Sequence, residues 1–102
     1  MLVPSVKEVV PTDYSETPWR PFRQTHLVCH ELDGEGLLYD PQRGITHRLN
    51  GSALFIWQSC DGQKTTGTIT GELMRTFDVS ADTAEGDVRK ALEQMRVNQL
   101  IE

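Results

Sequence analysis

Cysteine and basic charge are both in short supply in this 102-residue chain, and each shortage removes a class of function. Cys29 and Cys60 form no CxxC pair, so the common dithiol and structural zinc motifs are excluded. The run His26-Leu27-Val28-Cys29-His30 has the ingredients of a haem-attachment or metal motif but not the spacing. Haem attachment needs a second cysteine three positions earlier, and on a strand Cys29 and His30 would point to opposite faces. No metal and no cofactor are expected. Ten Lys and Arg stand against fifteen Asp and Glu, a net charge of −5. The first 23 residues hold three bases (Lys7, Arg20, Arg23) and three acids (Glu8, Asp13, Glu16), so the imbalance lies wholly beyond them. A nucleic-acid binder carries a basic stripe, and none is visible. Long apolar runs are missing too, as is a basic start leading into one, which excludes a bilayer-spanning helix and a secretory signal and points to the cytoplasm. Ser52 and Ser59 have no nucleophile elbow around them, and no glycine-rich loop leads into Lys-Ser or Lys-Thr. The chain by itself is expected to be no enzyme.

Proline is nearly absent after residue 23: Pro4, Pro11, Pro18 and Pro21 precede that point and only Pro41 follows it. Residues 1–23 are accordingly read as a flexible proline-rich arm and residues 24–102 as the folded domain. Trp19 and Phe22, between Pro and Arg in the arm, either fold back over an edge of the domain or dock a partner.

The domain itself is well punctuated. Alternation over Gln24 to Leu32 suggests a first strand, Asp33-Gly34-Glu35-Gly36 a turn, and Leu37-Leu38-Tyr39 a second strand. Asp40-Pro41-Gln42-Arg43-Gly44 reads as a hairpin connection, with Gly44 to Leu49 returning. Asn50 suits a helix N-cap ahead of Ala53, Ile56, Trp57 and Cys60, and Asp61-Gly62 suits the stop. Thr65 or Thr66 can cap a second helix bearing Ile69, Leu73, Met74 and Phe77. Ser80 caps a third, with Ala84, Val88, Ala91, Leu92 and Met95 on one face, and Leu100-Ile101 forms an apolar tail expected to dock. The outline is an α+β winged helix-turn-helix-like domain, a three-stranded antiparallel sheet followed by three helices.

Such a fold often reads DNA, but Asp82, Glu85, Asp87 and Glu93 outnumber Arg89, Lys90 and Arg96 on the third helix, and like charge opposes binding to phosphate. What remains is the sheet edge. If the third strand is an edge beside the third helix, an extended peptide can add to it, with main-chain bonds giving affinity and pockets giving selection.

The run LLYDPQRGITHRLNGSALFIWQSCDG, followed by Thr65 to Phe77 and by DVRKALEQMRVNQLIE, resembles the PqqD family of peptide chaperones, also called RiPP recognition elements. The resemblance rests on the hairpin before Leu49-Asn50, Ile56-Trp57, Cys60-Asp61-Gly62, Phe77-Asp78-Val79, Asp87-Val88 and Leu100-Ile101-Glu102, and it extends from about Leu27 to the end. It implies a non-catalytic module that takes the leader of a ribosomally made precursor peptide and presents it to a modifying enzyme, commonly a radical SAM enzyme. It further implies that the leader pairs with the backbone of Ile45, Thr46, His47, Arg48 and Leu49. The helix wall would then come from Arg89, Leu92 and Arg96, the preferred flank, or from the opposite one around Asp87 and Lys90. Ala91 stands where relatives carry bulkier residues, leaving a groove floor that is roomier or is filled by Met95. Some relatives dimerise, so a homodimer is a further expectation. The competing readings are a winged-helix DNA-binding regulator and an oligomerising adaptor.

Overall fold

The computed structural model describes residues 19–102. Three strands, β1 (Val28–Leu32), β2 (Glu35–Asp40) and β3 (Ile45–Leu49), precede three helices, α1 (Gly51–Ser59), α2 (Thr66–Phe77) and α3 (Ala81–Val97). The strands form an antiparallel meander in the order β1-β2-β3, the α+β arrangement expected. The β1–β2 turn is tighter than the sequence suggests. Asp33 and Gly34 both take positive φ, 53° and 79°, so two residues suffice and Leu32 pairs directly with Glu35.

The second hairpin turn is built by Asp40. Its Oδ1 accepts from the backbone N–H of Gln42 (3.0 Å) and of Arg43 (3.2 Å), while its carbonyl accepts from Gly44 N–H at 2.7 Å. This carboxylate is buried, and His26 Nε2 lies 3.3 Å from it. Gly44, at φ 68°, completes the reversal.

All three helices carry the caps their sequences announce. The Asn50 side chain accepts from Ala53 N–H, that of Thr65 from Thr68 N–H and that of Ser80 from Thr83 N–H. Helix α1 stops at Ser59, one residue before the expected Cys60, and Gly62 takes its positive φ of 80° in the loop beyond. Asp78, at φ 54°, turns the chain between α2 and α3.

The inner face of the sheet contributes Leu38 and Leu49 to a core that α1 fills with Leu54, Ile56 and Trp57. Ile69 and Leu73 enter from α2, and Ala84, Val88, Leu92 and Met95 from α3. Contact between α1 and the sheet is close enough that a Cβ on Gly36 would lie 2.6 Å from Leu54 Cδ1. Leu100 and Ile101 are buried, and the Trp57 indole N–H donates to the Leu100 carbonyl at 3.1 Å.

The first strand begins later than its alternation suggests, because the preceding backbone is bonded elsewhere. Arg23 N–H donates to the Cys60 carbonyl, Gln24 N–H to Leu100 and Glu102 N–H to Phe22, so residues 22–24 run alongside the chain's last residues. Of the segment read as an arm, residues 1–18 lie outside the described residues. Pro21 is buried against the body, and the Arg20 side chain donates to the Gln63 carbonyl at 3.0 Å.

Candidate functional site

Because β2 occupies the centre of the sheet, β3 has a neighbour on one side only among the described residues. In an antiparallel ladder alternate residues of an edge strand turn their N–H and C=O away from the partner, leaving donors and acceptors free. Helix α3 runs beside that free edge, and between them lies a groove of about 330 Å³. Thr46, His47, Arg48 and Leu49 form one wall, while Ala91, Gln94, Met95 and Asn98 form the other. Ala53 of α1 and Leu100 complete the floor.

Side-chain direction divides the strand wall. Register pairs Gly36 with Leu49, Leu38 with His47 and Asp40 with Ile45, which puts these β3 residues on the core face. Thr46 and Arg48 point to the outer face, where Arg48 makes an ion pair with Glu35 at 2.8 Å, so they offer the groove mainly backbone. Ile45, beside the turn, is exposed and does not line the groove. One end of the groove is bridged from the hairpin. The Arg43 guanidinium donates to the Asn98 carbonyl (3.4 Å) and to Gln99 Oε1 (3.2 Å), tying the turn to the C-terminal end of α3.

The helix wall differs from the flank preferred on sequence. Arg89, Leu92 and Arg96 do not face β3. They line a separate cavity of about 690 Å³ against Thr66 and Thr70 of α2, with Glu85, Val88, Glu93 and Trp19 around it. There the Arg96 guanidinium sits 5.5 Å from the centroid of the Trp19 ring. Helical geometry accounts for the separation: at about 100° per residue, Ala91 is rotated about 200° from Arg89. Leu92 is also no exposed seat, being 3% exposed and part of the core. The flank facing β3 is the opposite one, and its polar members, Gln94 and Asn98, were not singled out in the sequence. Their signal was available, since they stand three and seven residues beyond Ala91 on the same side of the helix.

Among the described residues no group of three His, Cys, Asp or Glu is placed to hold a metal ion, and no helix is long and apolar enough to cross a membrane. The Cys60 thiol donates to the Ile56 carbonyl, and burial pushes its pKa up to about 12, which keeps it protonated. Burial, with the nearby Glu31 carboxylate, also raises the pKa of Cys29. The larger cavity has more volume, but it lies away from the free backbone edge, and that edge distinguishes the smaller groove chemically.

Two solved structures share this architecture. One is TbiB1 in complex with the TbiA(beta) leader peptide, with a TM-score of 0.69 and 23% identity over 79% of this chain and 94% of that one. The other is lasso peptide synthetase B1 complexed with the leader peptide, with a TM-score of 0.70 and 18% identity over 81% and 98% of the two chains. At these identities the likeness establishes the fold. No curated protein matches the chain. Residues 35–101, about two thirds of the sequence and including all of β2, β3 and the three helices, match the family model for coenzyme PQQ synthesis protein D, and the chain therefore belongs to the PqqD family.

Proposed function

We propose that this protein is a non-catalytic peptide chaperone. It captures the leader of a ribosomally made precursor peptide in the β3–α3 groove and presents it to a modifying enzyme, a radical SAM enzyme being the class the family suggests. The observation that carries the reading is the free edge of β3 lying open beside α3. An extended peptide laid there would complete the ladder with its own main chain, a mode in which backbone bonds supply affinity and side-chain pockets supply selection. Leu49, Met95 and Ala91 offer an apolar seat, and the Gln94 and Asn98 carboxamides offer hydrogen-bonding groups along the rim. The fold neighbours, both complexes with leader peptides, support the same reading.

Amide chemical-shift mapping tests this directly. A synthetic leader taken from a short reading frame beside this gene should perturb residues 45–49 on β3 and residues 91–98 on α3, leaving α2 almost silent. A flat titration with the authentic leader would remove the proposal. Duplex DNA should produce no salt-sensitive shift, because the exposed part of α3 keeps Asp82, Glu85, Asp87 and Glu93 against three bases.

A further inference from the structure

The groove contains one buried side-chain polar atom that no described residue satisfies. Among the described residues, His47 Nε2 is the buried side-chain nitrogen or oxygen left without a hydrogen-bond partner. Its position is fixed by strand register: His47 pairs with the fully buried Leu38 and therefore shares the core face of the sheet while lining the groove. A buried group of this kind costs stability. Leucine or phenylalanine would fill the same place without that cost, so an imidazole here needs a reason that the free domain does not supply.

Charge supplies that reason. The chain carries five more acids than bases, yet no acid lines this groove. The Gln94 and Asn98 carboxamides stand on the helix wall and Arg43 spans the closed end through Asn98 and Gln99, while the Arg48 side chain is turned to the outer face and paired with Glu35. The groove thus presents no acid, and its carboxamides offer N–H donors to an acidic group. The imidazole can join them at small cost. Rotation about the Cβ–Cγ bond of histidine is broad, and turning the ring breaks no hydrogen bond at Nε2.

We infer that His47 reads an acidic side chain, Asp or Glu, of the peptide strand that adds to β3, with the imidazole Nε2–H donating to the carboxylate. This deepens the peptide-capture reading and rests on it. Residues flanking the acid on the peptide strand point alternately outward and onto the apolar floor of Leu49, Met95 and Ala91. The preferred peptide is therefore an extended one combining an acid with apolar residues.

A display selection of random dodecapeptides on the immobilised full chain separates this inference from its parent. The wild-type protein should enrich peptides with Asp or Glu at one fixed position. His47→Phe and His47→Leu should enrich peptides that are apolar there. For a selected acidic peptide, affinity should fall about tenfold to a hundredfold on His47→Phe, as expected for loss of a hydrogen bond to a charged group. Changing the peptide's acid to Leu should weaken its binding to wild type by a similar factor, a comparison that needs no variant protein to fold. Thermal melts should show the His47→Leu domain at least as stable as wild type, whereas a purely structural histidine would give a less stable one. Enrichment of no peptide at all would overturn peptide capture and this inference with it. Enrichment of peptides with no preferred acid, or with the same acid preferred by His47→Phe, would overturn the role of His47 while leaving peptide capture intact.

Discussion

The loop after α1 depends on one carboxylate. Asp61 Oδ1 accepts from the backbone N–H of Gln63 at 2.9 Å and of Lys64 at 3.0 Å, and these two bonds draw its pKa below the ordinary value of 3.8. Asp61 also bridges to Phe22, so the loop holds the segment leading into β1. A carboxylate whose pKa is lower folded than unfolded stabilises the fold in full above the unfolded value, and that contribution disappears as pH falls through the folded value. Asp61→Ala should therefore lower the urea midpoint at neutral pH, and the gap from wild type should close as the solution is acidified below 3.8. A gap that stays constant across that range would show that the carboxylate's charge contributes nothing. Gly36 makes a different demand. An alanine there would put its Cβ 2.6 Å from Leu54 Cδ1, so the buried Leu54 side chain would have to shift.

At the scale of elements, the relation between β3 and α3 decides the site, and the two flanks of α3 can be told apart by mutation. Ala91 sits on the groove wall, half-buried at the margin of the core, so Ala91→Trp should fill the groove. Leader affinity should drop by about tenfold or more, corresponding to at least about 1.4 kcal/mol. Reversing charge on the other flank, with Arg89→Glu and Arg96→Glu together, should change affinity less than about twofold, since exposed charges that far from the peptide are screened at physiological salt. Isothermal titration of both variants with one leader peptide checks the pair. If the arginine variant lost binding and the tryptophan variant kept it, the peptide would have to lie in the α2–α3 cavity instead.

For the molecule as a whole, most of the fold was legible because most junctions carry their own signal: Asp40 to Gly44 for the second hairpin turn, and Asn50, Thr65 and Ser80 for three helix starts. The free strand at the site was legible as well, since Ile45–Leu49 lies last in a three-strand meander. The side of α3 that faces it was not. Periodicity reveals an apolar stripe, but Val88, Leu92 and Met95 anchor the helix in the core, and which polar flank then meets the sheet depends on how α3 crosses α1 and α2. The path of residues 21–24 was hidden for the same reason, because their bonds go to Cys60, Gly62, Leu100 and Glu102, some 40 to 80 positions away. These long-range ties bear on stability. A core of fourteen buried apolar residues among those described gives a domain this small only a modest margin, and part of the β3 backbone has no partner strand among the described residues. A ligand that binds only the folded state adds about 2.7 kcal/mol when present at a hundred times its Kd. For a domain of this size each kcal/mol raises Tm by about 4–8 °C, so a saturating leader should raise the melting temperature by roughly 10–20 °C. The rise should track peptide concentration logarithmically and shrink in Ala91→Trp, to about half for a tenfold loss of affinity, if the stabilisation comes from strand addition in the groove. A leader that bound tightly by titration yet left Tm unmoved would have equal affinity for the unfolded chain, which an assembled strand-and-helix groove does not allow.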